Sequence, residues 1–133
     1  MLPDPAEVRR YADLGAKGFK FIYPYYGYDH ESYLPIYEEL KKLGFPALFH
    51  TGLYRPSSAD VKYRRPVLEN MSPLRPDAVA RYFPSVKIAV THLETAILRR
   101  QAAEPVKQYA NLYFDLAGSG NFLDVSPPNL RSC

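Results

Sequence analysis

Phe45-Pro46-Ala47-Leu48-Phe49-His50-Thr51-Gly52 and Lys87-Ile88-Ala89-Val90-Thr91-His92-Leu93-Glu94 are the two stretches whose reading decides the fold. Each is a short apolar run that ends on a histidine, and each reads as a buried strand delivering an imidazole to its C-terminal end. In parallel α/β folds that end of the sheet is where ligands and catalytic groups gather. The chain holds 3 histidines in all. Two of them in matching positions are therefore the best functional clue in the sequence, and they suggest part of a metal site.

Working outward, the segment before the first run reads as a helix over Ser32 to Leu43, with Ile36, Leu40 and Leu43 as its apolar stripe. Glu38 and Lys42 can pair one turn apart, and Gly44 ends it. Pro35 fits only in the first turn, which favours Ser32 as the cap. Further upstream, Asp4-Pro5-Ala6-Glu7 has the form of a helix start with capping-box spacing. Val8, Tyr11 and Ala12 follow on one face, and Gly15 is a stop. Phe19 to Tyr23 is a strand, followed by a loop rich in Tyr and Gly.

Downstream of His50 a long, Pro-rich connection leads to a short helix between Pro73 and Phe83, with Val79 and Phe83 buried. After the second histidine strand a helix is expected from Thr95 to Tyr109, with Leu98, Ala102 and Tyr109 inward and Pro105 as a kink. Leu112 to Leu116 forms a fourth strand, and the tail after residue 119 is irregular. The α-β-α-β-α-β-α-β order implies a parallel sheet with right-handed crossovers. An open doubly wound sheet and a slice of a (β/α)8 barrel both produce it. No Gly-rich phosphate loop follows the first strand, which disfavours nucleotide binding.

The bulk properties narrow the class. A chain of 133 residues, 47% apolar, supports one globular domain. A formal charge of +3, with basic residues scattered, gives no nucleic-acid stripe. There is no membrane-spanning stretch and no signal-peptide core, so a cytoplasmic location and a small-molecule partner are expected. The single cysteine, Cys133, is the last residue and allows no internal disulfide.

Side chains alternate along a strand, so His50 shares a face with Leu48, and His92 with Val90 and Ile88. If those faces line the inside of a barrel, the imidazoles converge at its mouth. Neutral imidazole suits Zn2+ and similar ions, but a third or fourth protein ligand is needed to hold one. One histidine can instead serve as acid or base. Among the weaker candidates, Asp115 ends the fourth strand and suits turn duty. Lys20, in mid-strand, is either an inward ionic group or a snorkelling edge residue. His30 reads as solvated, and Glu94 as the start of a helix. Arg55, Arg64 and Arg65 can hold an acidic substrate or simply face water. Tyr23, Tyr25, Tyr26 and Tyr28 can wall an aromatic pocket or pack a loop.

Taken in order, Gly-Ala-Lys-Gly-Phe-Lys-Phe (15–21), Tyr-Leu-Pro-Ile-Tyr-Glu-Glu-Leu-Lys-Lys-Leu-Gly-Phe-Pro-Ala-Leu-Phe-His-Thr-Gly (33–52), Arg-Tyr-Phe-Pro-Ser-Val-Lys-Ile-Ala-Val-Thr-His-Leu-Glu (81–94) and Tyr-Ala-Asn-Leu-Tyr-Phe-Asp-Leu-Ala-Gly-Ser (109–119) resemble the amidohydrolase-related family of metal-dependent hydrolases and decarboxylases. The resemblance implies strands four to seven of a distorted TIM barrel: an α/β fold of parallel β/α units over residues 1–119, with an irregular tail over 120–133. It matches His50 to the fifth-strand metal ligand, and His92 to the sixth-strand histidine that ligates a second metal or assists catalysis. Asp115 falls on the seventh strand and is not the family's metal aspartate.

The family's first-strand His-x-His pair and eighth-strand aspartate have no counterpart here, and Glu94 stands where Gly is common. The resemblance thus implies a fragment of a metal-dependent enzyme for a small, aromatic or carboxylate substrate. Such a fragment holds a divalent metal, Zn2+ foremost, in an incomplete ligand set (His50 and His92), with His92 catalytic and Arg55, Tyr25 and Arg65 touching substrate. It is expected to be inactive in isolation. A non-catalytic half-barrel that forms homo-oligomers or pairs with a partner chain through exposed strand edges is the other expectation.

Overall fold

The computed structural model describes residues 4–52, 67–92 and 96–115. Helix α1 spans Pro5–Asp13, and the Asp4 carboxylate caps it by accepting the Ala6 N–H at 2.8 Å. Glu7 does not complete a capping box. It turns to Arg10 instead, at 2.6 Å. Strand β1 is short, Phe19–Phe21, because the chain turns away at Tyr23, which takes a left-handed φ of 53°.

A 3-10 turn, Glu31–Tyr33, leads into α2, Leu34–Leu43, and Pro35 sits in the first turn as its chemistry demands. Tyr33 rather than Ser32 stands at the N-cap of α2 and makes no side-chain cap bond, while His30 caps the preceding 3-10 turn, its Nδ1 accepting the Ser32 N–H at 3.2 Å. Gly44 closes α2 in the left-handed region at φ 65°. The expected Glu38–Lys42 pair gives way to two i,i+3 pairs, Lys41–Glu38 at 3.5 Å and Lys42–Glu39 at 2.7 Å. Glu39 also receives Arg9 at 2.9 Å, which ties α2 to α1.

Strand β2 is Ala47–His50, and a second 3-10 turn follows at Leu68–Met71. Helix α3 is Pro76–Tyr82, β3 is Ile88–Thr91, α4 is Ala96–Gln108 with Pro105 inside it, and β4 is Leu112–Phe114. Among the described residues no helix is long and apolar enough to cross a membrane.

The described strands form one parallel sheet in the order β1-β2-β3-β4. A doubly wound sheet reverses its strand order at a switch point, whereas neighbours in a barrel wall follow chain order. The order here is that of the wall, so the fold is a partial TIM barrel.

Register assigns the two faces. Phe19 pairs with Ala47, Ala47 with Ile88 and Ile88 with Leu112. Phe21, Phe49, Val90 and Phe114 form the next row on the same side. These rows join the core with Ile36, Tyr37 and Leu40 of α2, Val79 and Ala80 of α3, Phe83, and Ala102 of α4. Phe49 lies at its centre, with ring centroids 4.6 Å from Tyr28, 5.1 Å from Phe21 and 5.9 Å from Tyr37. Burying one such side chain is worth about 1.5–3 kcal/mol. Leu43, expected in the α2 stripe, lies instead at the exposed edge of this core. Lys20, Leu48, Ala89 and Tyr113 form a row on the opposite face, half-buried or exposed. Helices therefore cover one side of the sheet, as on the outside of a barrel.

Candidate functional site

His50 is the last residue of β2 and is only 8% exposed. Its backbone is held firmly. The Tyr28 hydroxyl, itself buried, donates to the His50 carbonyl at 2.5 Å and lies 3.3 Å from that of Phe21. The Tyr37 hydroxyl in turn donates to the Tyr28 carbonyl at 2.6 Å. The ring is in the opposite situation: Nδ1 and Nε2 are both buried with no hydrogen-bond partner among the described residues. Buried polar atoms are nearly always paired, and each orphan costs about 1–3 kcal/mol. Burial, with help from the positive charge that His92 and Lys20 can carry, pushes the His50 pKa down to about 4. The imidazole is therefore neutral near pH 7, with a lone pair ready for an electrophile.

His92 follows β3, and its position does not come from strand alternation. His50 is in register with Thr91, so regular alternation would send His92 to the Val90 side, into the helix-packed core. Both faces named by simple counting cannot line one pocket. What brings the rings together is a left-handed backbone at His92, φ 67°, which breaks the alternation. The ring centroids of His50 and His92 then stand 4.6 Å apart with their planes at 57°. A non-glycine residue in that region loses about 1–2 kcal/mol, and such strain gathers at functional sites.

Neighbouring residues hold the bend. The Thr51 N–H and hydroxyl both donate to the Thr91 carbonyl, at 3.2 and 2.7 Å, and the Thr91 hydroxyl donates to the Phe49 carbonyl at 3.0 Å. Gly52 is itself left-handed at φ 90°, and a Cβ there would stand 2.8 Å from the His92 carbonyl oxygen. Glycine at 52 is what lets the two strand ends close on each other.

Two further side chains reach the pair. The Lys20 ammonium, on the open face of β1, lies 3.5 Å from His92 Nε2. Tyr23 sets its ring edge-on to His50 at 5.5 Å. Of the alternatives open to Lys20, the ionic group of the site is the one observed, and a lone charge within an apolar run was its sequence signal. Tyr25 meets Tyr26 edge-on at 4.8 Å, and Tyr26 in turn stacks on His30 at 4.1 Å. His30 is thus half-buried and structural rather than solvated. Tyr28 is a core residue that secures His50, not a pocket wall. Asp115 is half-buried, and its N–H continues the ladder to Val90 O at 2.9 Å. Arg55, Arg64, Arg65 and Glu94 lie outside the described residues.

A divalent ion fits the donor chemistry: a neutral, buried, unpartnered imidazole stands beside a second one. The set is short, because among the described residues no group of three His, Cys, Asp or Glu could hold an ion, whereas a catalytic zinc keeps three protein ligands.

Compared with known proteins, residues 3–130 match a family model described as amidohydrolase. No curated protein and no solved structure matches the chain.

Proposed function

This chain belongs to the amidohydrolase family, and from that premise we propose that His50 and His92 are part of a divalent-metal site, with zinc the favoured ion. The reaction class is hydrolysis or non-oxidative decarboxylation of a small aromatic or carboxylate substrate. The observation that carries this reading is the pair of unpartnered ring nitrogens on His50, 4.6 Å from a second imidazole.

Bound there, a divalent ion would supply Lewis-acid polarisation of a substrate oxygen. His50, kept neutral by burial, offers its lone pair without first losing a proton. Tyr28 and Thr51 fix its strand end, so little reorganisation accompanies binding. His92 ligates as well, or holds and returns a proton beside the ion. When Lys20 donates to His92 Nε2, the ring proton of neutral His92 sits on Nδ1. Arg55, Arg65 and Tyr25 are the proposed substrate contacts.

Two imidazoles hold an ion weakly, so we expect weak zinc affinity and little activity from these residues alone. Calorimetric titration with Zn2+ tests the reading: weak binding that His50→Ala abolishes supports it, and tight binding untouched by the substitution overturns it.

The edge positions of β1 and β4 in the described sheet favour a second reading, in which the half-barrel self-associates or pairs with a partner chain through its strand edges. Sedimentation equilibrium at tens of micromolar should then show a dimer, and a clean monomer would count against it.

A further inference from the structure

Tyr23 follows β1 by two residues, at the head of the loop of tyrosines, and its ring stands against the candidate site. The centroid lies 5.5 Å from that of His50, with the planes crossed at 72°. Later in the loop, Tyr25 and Tyr26 meet each other at 4.8 Å, and Tyr28 packs on Phe49 in the core at 4.6 Å. Tyr23 is also 42% exposed. Its ring therefore borders both the imidazole and whatever approaches that imidazole from solvent.

The placement is held by the rest of the loop. Tyr23 takes a left-handed φ of 53°, a region that bulky residues rarely enter. Such strain persists only where the surroundings over-determine it, and it gathers at ligand clamps. The fastenings here are several. The Tyr33 hydroxyl oxygen, in the 3-10 turn before α2, accepts the N–H groups of Tyr25 and Tyr26 at 2.8 and 3.2 Å. Asn70 Nδ2, in the second 3-10 turn, donates to the Tyr25 carbonyl at 3.0 Å. The Arg75 guanidinium grips both Asp29 carboxylate oxygens, at 3.0 and 3.2 Å. It also lies across Gly27 so closely that a Cβ there would stand 2.8 Å from Arg75 Cζ. Tyr28 ties the same loop to the His50 carbonyl.

We propose that Tyr23 is a specificity-determining residue of this site, presenting its ring to an aromatic ring of the ligand. The proposal rests on reading the histidine pair as a ligand site, and it adds the side chain that favours a flat ligand over a saturated one. A phenol ring has a negative face and a positive edge, so it takes a second ring offset or edge-on and gains more than the buried area alone supplies. Tyr23 already meets the imidazole in a crossed arrangement of this kind. A saturated ring of similar size buries similar area without that complementarity. The histidines thus choose the group that binds at the strand ends, while Tyr23 chooses the body that carries it.

The test titrates the full chain with sodium benzoate and, separately, with sodium cyclohexanecarboxylate, with and without Zn2+, following the histidine ring signals by NMR. The probes are alike in charge and similar in size, and they differ in aromaticity. Wild type should hold benzoate about fivefold more tightly. Tyr23→Phe should keep that preference. Tyr23→Asn suits a left-handed backbone and removes the ring, so it should abolish the preference while circular dichroism stays that of the wild type. A ring that only packs on His50 would leave the ratio of the two affinities unchanged in Tyr23→Asn, and that result overturns the proposal. So does a wild type that holds both probes equally or binds neither. The zinc arm separates the two readings. A chain that prefers benzoate through Tyr23 and ignores zinc sinks the metal site and leaves the ring contact standing. Zinc binding that needs His50, with no preference for benzoate, does the reverse.

Discussion

Replacing His50 with leucine should make the metal-free chain more stable, although it removes a residue placed at the centre of the site. A neutral imidazole carries one donor and one acceptor, and both nitrogens are buried without partners among the described residues. Each such group costs about 1–3 kcal/mol. Leucine has similar bulk and nothing to satisfy, while imperfect fit subtracts about 1.5 kcal/mol at most. With both orphans at the low end of that range and the misfit subtracted, the net expectation near neutral pH is a gain of about 0.5–2 kcal/mol.

The gap between variant and wild type should then widen on acidification. The folded His50 pKa is pushed from the ordinary 6.5 to about 4, so the unfolded chain takes up a proton that the folded chain refuses. Stability is therefore lost as pH falls below the unfolded value. By about pH 5 this one group should cost the wild type about 2 kcal/mol relative to pH 8. Every other titrating group is common to both proteins, so the difference between them isolates His50. Urea unfolding followed by circular dichroism, with chelator present, reads it directly. A leucine variant less stable than wild type at neutral pH would refute the reasoning. So would a gap that stays constant down to about pH 5.

Other substitutions probe the supports. Gly52→Ala puts a Cβ 2.8 Å from the His92 carbonyl in a left-handed backbone, and urea midpoints should show a loss of about 1–3 kcal/mol; no loss would mean the strand ends do not close as described. Tyr28→Phe withdraws the hydroxyl that serves the His50 carbonyl and should cost about 1–2 kcal/mol by the same assay, with zinc affinity falling in parallel. At position 92, asparagine tolerates the left-handed region and valine does not, so His92→Asn should exceed His92→Val in stability by about 1 kcal/mol; equal values would argue against the bend.

The sequence made the scaffold legible because its punctuation is local. Asp4, Pro35 and Gly44 act within a few residues of themselves, and all three perform the roles their chemistry assigns. The apolar runs before His50 and His92 declare buried strands; the one ending on His50 has its expected bounds, and the other three strands come out shorter than expected. What stayed hidden depends on contacts between distant segments. Alternation carried through Thr91 predicts the wrong side for His92, since a single backbone dihedral leaves no mark in the pattern of side chains. Lys20 joins the site by reaching across the sheet, which no count along β1 can reveal. His30 looked like a solvent residue because the Tyr26 ring that covers it is fixed only by the folding of their shared loop. Glu39 was invisible as a link between helices for the same reason: Arg9 lies thirty positions earlier in the chain.

The bend at His92 bears on any attempt to transplant this pair. Grafting two histidines onto the ends of adjacent parallel strands in an idealised scaffold would aim one ring above the sheet and the other below it. The portable unit is wider: His50 with Gly52, and His92 with Thr91, including the reversed backbone and the hydroxyls that brace it. A recipient lacking the glycine would straighten the strand end and scatter the rings, while its residue list still looked complete.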